Sequence, residues 1–154
     1  MNLQIIQKMI EHSKKCFEKG NPTKGFVDVI VNNYPTKSNY LEDLAKSNGL
    51  GYKRFLMQYL DAQELKGYLD KLESLESERI TMIHFDMERN LNNIYNPSLE
   101  TINQMLLFYM ENRLNPKFHI YITHPDEASE TYSNWILCRM DVIDFSKHNL
   151  LKCF

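Results

Sequence analysis

A chain of 154 residues, 43 % hydrophobic and 25 % charged, is long enough to bury about two thirds of its unfolded surface around one ordinary core. Only five glycines and five prolines argue against long disordered segments, and a net charge of −2, spread evenly along the chain, argues against a polyanion-binding domain built on bulk charge. Cys16, Cys138 and Cys153 show no CxxC spacing, so neither a disulfide framework nor a zinc knuckle is expected, and a reducing cytoplasmic compartment fits. The opening MNLQIIQKMIEHSKK lacks the order of a signal peptide, and no apolar run approaches the roughly 18 residues of a membrane span.

In chain order, Leu3, Ile6, Met9, Ile10, Cys16 and Phe17 recur at three and four residues, with Lys8, Glu11, Lys14, Lys15 and Glu18 opposite. This pattern predicts an amphipathic helix, stopped by Gly20, Asn21 and Pro22. The next stretch, GFVDVIVNNYP, has a β-branched run that suits a strand, yet Phe26, Ile30 and Tyr34 also share helical spacing, and a short buried helix is the reading adopted. Ser38 is placed to cap a helix over residues 39–47, ended by Asn48 and Gly49. From Tyr52 to about Ser77 the residues Phe55, Leu56, Tyr59, Leu60, Leu65, Leu69, Leu72 and Leu75 keep helical periodicity, interrupted by Gly67, where a kink or a close helix contact is expected.

Near residue 78 the period changes to two. RITMIHFD alternates Met82, His84 and Asp86 with Thr81, Ile83 and Phe85, predicting a strand. Asn96 and Pro97 open a predicted helix to about Leu114, followed by a second strand in KFHIYITH and a third from about Asn134 to Ile143. The fold expected is therefore α+β. A helical N-terminal half of about four helices (1–78) packs with a C-terminal β-α-β-β small mixed sheet (79–154) as one compact unit, the crossover making the first two strands parallel.

Three surfaces are candidates for function. The leading expectation is a non-catalytic regulator or inhibitor that binds a protein partner through Tyr121, Trp135, Leu137, Arg139 and Asp141, an aromatic and aliphatic patch flanked by charge on an open sheet face. No cofactor and no membrane are implied, and a homodimer through a sheet edge is an option. The second candidate is LEDLAKSNGLGYKRF, residues 41–55, which has the layout of a helix-turn-helix, with Ala45 at the crossing, Gly49 at the turn, and Tyr52, Lys53 and Arg54 at the start of a recognition helix facing DNA. The third is a metal-dependent hydrolase site, with His84 and Asp86 on one strand face and His119 on the same face of a neighbour. Against these stands the commoner role of such residues as solvated strand faces and plain helix packing.

Overall fold

The computed structural model describes residues 3–21, 25–35, 38–56, 62–74, 79–87, 104, 106, 109, 111, 117–127 and 132–146. Leu3–Glu18 form α1, whose buried positions Ile6, Ile10, Ser13 and Cys16 lie three and four residues apart, as the sequence pattern predicts. Asp28–Asn32 form β1, Tyr40–Ser47 α2, Gly51–Leu56 β2, Ala62–Ser74 α3, Thr81–Asp86 β3, Phe118–Thr123 β4, Asn134–Leu137 α4 and Asp141–Asp144 β5.

Among the described residues the five strands make one sheet in the order β2-β3-β4-β1-β5, and every pair is parallel. This overturns the α+β expectation. The molecule is α/β, and strands from residues 1–78 and 79–154 interleave: β1 lies between β4 and β5. From the expected β-α-β-β arrangement there survive the parallel pairing of β3 with β4 and helical residues between them in the chain.

Register assigns each face. Val29 pairs with Tyr121 and Val31 with Thr123, while His84 pairs with Tyr121 and Asp86 with Thr123, so these side chains share one face. That face is covered by Ile6 and Ile10 of α1 and Leu41 and Ala45 of α2. Ile30, Ile83, Phe85, Ile120 and Ile122 point the other way, against Leu65 and Leu69 of α3 and Ile136 of α4, with Leu106 and Tyr109 in the same cluster. Helices on both faces are the general condition of a parallel sheet. The face that carries Met82, His84, Asp86, His119, Tyr121 and Thr123 is thus buried, not open.

Several elements differ from the sequence expectation for local reasons. Residues 28–32 are a strand: with β1 buried at four of its five positions, a central strand carries an apolar run that mimics a buried helix. Residues 52–77 are not one helix, because β2 occupies 51–56 and α3 begins at 62. The supposed helix-turn-helix therefore ends in a strand. Its corner is real, with Gly49 at φ +72°, Leu50 N–H donating to the Ala45 carbonyl at 2.9 Å and Gly49 N–H to the Lys46 carbonyl at 3.2 Å, a Schellman cap. Yet Tyr52, Lys53 and Arg54 sit on β2, so no recognition helix presents them.

The cap of α2 is Asn39 and not Ser38. The segment read as a strand over 134–143 is α4 followed by β5, with the Ser133 hydroxyl accepting from Ile136 N–H at 3.4 Å. Of the helix expected over 97–114, Gln104, Leu106, Tyr109 and Glu111 are helical, and the rest lies outside the described residues. No helix among the described residues is long and apolar enough to cross a membrane.

Gly67, in mid-α3, faces open space: a methyl group there would meet nothing within 4 Å, so no close helix contact requires it. Gly67→Ala should raise the free energy of unfolding by about 1 kcal/mol through helix propensity. Gly51→Ala should lower it, because its Cβ would lie 2.7 Å from Thr81 Oγ1. Urea denaturation checks both, and a destabilised Gly67→Ala would show a packing role for that position.

Candidate functional site at the carboxyl edge of the sheet

The strand order reverses between β1 and β4. The chain leaves β1 for β2 at one end of the sheet, and leaves β4 for β5 at the other. In open α/β sheets the crevice outside the carboxyl ends of two such strands is where ligands bind. Here that edge collects Asn32, Asn33 and Tyr34 after β1, Asp86 and Met87 at the end of β3, and Thr123 and His124 at the end of β4.

The backbone continues the pairing a short way past the strands. Tyr34 N–H donates to the His124 carbonyl at 2.8 Å, and Asn33 N–H to the Asp126 carbonyl at 3.1 Å. Asn33 adopts φ +54°, a left-handed conformation that asparagine tolerates better than most residues. The Tyr34 hydroxyl accepts from Leu41 N–H in the first turn of α2 at 3.1 Å, and its ring meets His84 edge-on at 5.7 Å.

Beneath this edge runs a buried polar chain across three strands. Tyr52 Oη lies 2.8 Å from His84 Nδ1, and His84 Nε2 lies 2.6 Å from Thr123 Oγ1. The Thr123 hydroxyl points its proton at Asp86 Oδ1, 3.5 Å away. Because a carboxylate only accepts, this arrangement assigns the remaining protons: Tyr52 donates to His84 Nδ1, and His84 donates from Nε2 to Thr123. His84 is therefore the neutral Nε2–H tautomer. Burial, and next the positive charge of Arg54, push its pKa down to about 3.

Asp86 is only 5 % exposed and its charge is met by Arg54, whose Nε donates to Oδ2 at 2.8 Å and whose Nη2 reaches the same oxygen. A buried carboxylate costs several kcal/mol unless paired in this way. On the opposite face His124 is 1 % exposed. Its Nε2 lies 2.8 Å from the Tyr132 hydroxyl, while Nδ1 has no partner among the described residues. Burial holds its pKa down at about 4.

The residues expected to form sites are redistributed. His84 and Asp86 do come together, through Thr123, but His119 does not join them. It pairs in register with Met82, and its Nε2 lies 2.9 Å from Ser13 Oγ, which itself donates to the Gly25 carbonyl at 2.6 Å. Among the described residues no group of three or more His, Cys, Asp or Glu side chains is arranged to hold a metal ion. Tyr121 is fully buried and so stands apart from Trp135, which is 59 % exposed on α4.

Arg139 stacks on the Trp135 ring at 4.6 Å and donates from Nη1 to its carbonyl at 3.2 Å. Leu137 is half-buried against the core, and Asp141, half-buried on β5, has its pKa raised by burial. Lys53 is exposed and lies over the Phe55 ring at 5.2 Å. The Arg54 contact with Asp86 and the Tyr34 contact with α2 were not foreseen. The alternation of β3 predicts the face of Asp86, whereas the helical spacing from Tyr52 onward hides the strand that carries Arg54.

No family model matches this chain, and no curated protein matches it. Among solved structures it is similar to the Thermotoga maritima RuvB P216G mutant, with a TM-score of 0.51 and 15 % sequence identity over 90 % of this chain. That likeness concerns the fold alone. This chain spans 45 % of the length of that protein.

The two depressed histidines make acid stability a test of the geometry. Both are neutral in the folded protein and take up a proton near pH 6.5 when unfolded, so their contribution is complete above pH 6.5. It is lost as pH falls toward about 4 for His124 and about 3 for His84, each adding a slope of up to about 1.4 kcal/mol per pH unit. His124→Gln should flatten the fall in unfolding free energy between about pH 6 and 4.5. An unchanged acid limb in urea titrations would show that His124 is protonated in the fold.

Proposed function

We propose that this chain is a ligand-binding α/β domain with a regulatory rather than a catalytic role, taking a phosphate-bearing small molecule of the nucleotide class at the carboxyl edge between β1 and β4. The observation that carries this reading is the reversal of strand order at β1 and β4, at the edge where the polar side chains gather. β1 is followed in the chain by α2, as a strand is by a helix around phosphate-binding loops, and in the sequence Lys37 and Ser38 come just ahead of α2, as Lys and Ser or Thr do near the helix start in that motif. The positive end of α2 faces the same edge.

The departures from that motif set the character of the site. Asn32, Asn33, Tyr34 and Pro35 stand where glycines would let backbone N–H groups approach a phosphate closely, so weak, reversible binding is the reading they support. An acidic residue at a strand end can hold the magnesium ion of a phosphoryl-transfer site, but Asp86 already carries the Arg54 guanidinium. This favours occupancy over turnover.

A second reading, docking of a protein partner, is supported by the Trp135 and Arg139 pair, where an exposed indole is held in one orientation by a stacked guanidinium. Tryptophan and arginine are the residue types that dominate interface energetics. The two readings are compatible in one regulator.

Titration with ATP, ADP and inorganic phosphate, with and without magnesium, tests the first. The expected outcome is a rise in the thermal midpoint with nucleotide, from a stabilisation of about 2.7 kcal/mol at a hundredfold excess over Kd, without release of phosphate. Sustained phosphate release would overturn the regulatory role, and no shift with any of the three at millimolar concentration would overturn the site.

For the second, Trp135→Ala should change unfolding free energy by no more than about 0.5 kcal/mol and remove the partner. Trp135 is the only tryptophan in the chain, so its fluorescence reports on the surface directly. If it stays fully quenchable by iodide in the complex, the partner docks elsewhere.

A further inference from the structure

We infer that His12 and Cys16 on α1 form a two-donor site for a thiophilic divalent cation of the zinc class. Residues four apart on a helix lie on one face, one above the other, and here the His12 Nε2 and Cys16 Sγ atoms are 3.6 Å apart. Two donors bound to one tetrahedral zinc ion, with Zn–S of about 2.3 Å and Zn–N of about 2.05 Å, are separated by about 3.6 Å. The pair is thus spaced for one cation without rearrangement of the helix.

Access and chemistry agree with the spacing. Ser13, between the two donors, points inward and is fully buried, whereas Cys16 lies at the rim of the core at 8 % exposure and His12 is exposed. A hydrated cation reaches the site from the His12 side. Imidazole and thiolate are the donors that zinc prefers over oxygen ligands. Cys16 lies in the last turn of α1, where the partial negative charge of the helix end favours a cation.

In the metal-free protein one hydrogen bond joins the pair. On binding, the Cys16 thiol proton leaves to solvent, the Sγ and Nε2 lone pairs bind the cation, and about four of its roughly six water ligands depart, leaving two to complete the tetrahedron. The step therefore releases one proton per cation and changes no oxidation state. The site lies on α1, apart from the carboxyl-edge residues, and does not depend on the nucleotide reading.

Cobalt(II) titration of the full chain in a Cys138→Ser/Cys153→Ser background tests the assignment, since Cys16 is then the only thiol. The expected result is a near-ultraviolet thiolate-to-cobalt charge-transfer band that zinc displaces. His12→Gln should weaken cobalt binding by at least about tenfold, the loss that removal of even an indirect metal-site partner produces. His12 is exposed, so its substitution should leave the metal-free unfolding curve unchanged. Cys16→Ser should abolish the band. Absence of the band in the background protein, or a His12→Gln variant that binds cobalt with unchanged affinity, would overturn the site.

Discussion

The rest of the molecule depends on the burial of β4 and β1 on both of their faces. β4 is buried at all six of its positions, and β1 runs parallel beside it. A parallel pair cannot be joined by a tight turn and must have helices returning over it. α1 and α2 therefore cover one face, and α3, α4 and the helical residues Leu106 and Tyr109 the other. With β1 beside β4, the strands that follow β1 are laid to one side and β5 to the other, so the reversal of strand order is a by-product of the packing.

Burial of the α1/α2 face also explains its polar chemistry. His84, Asp86 and Thr123 project from central strands into the buried layer under α1 and α2, where each proton and lone pair needs a partner. Neutral groups can be satisfied by one another, as Tyr52, His84 and Thr123 are. The carboxylate needs a cation, and an edge strand can supply one. Leu56 is the register partner of Asp86, while Arg54 pairs with His84 and leans toward the carboxyl end to reach the Asp86 oxygens. Its side chain remains 29 % exposed, so the guanidinium keeps part of its hydration while neutralising the acid.

Some of this was legible in the sequence. The inward stripe of α1, the extent of α2 with its Gly49 cap, and the alternation that puts His84 and Asp86 on one face of β3 all depend on neighbours within a few residues. The misread elements depend on partners far away. Asp28–Asn32 carries apolar residues on both sides because both faces are covered, and that pattern has no period to separate strand from helix. Phe55 and Leu56 happen to continue the spacing of Leu65 and Leu69, which hid the end of β2. The signal for α4 was present in Ser133, a helix-capping residue type, but the alternation of Trp135 through Val142 outweighed it.

The inward stripe of α1 and the Gly49 turn were thus determined by the sequence alone, along with the face on which His84, Asp86 and Thr123 lie. The tertiary structure decided which face met helices rather than solvent, placed β1 between β4 and β5, and delivered Arg54 to Asp86. The physical reason is that side-chain parity is a property of one strand, whereas burial, charge pairing and strand order come from the pairing of segments about ninety residues apart, such as β1 with β4, whose energetics depend on the whole core.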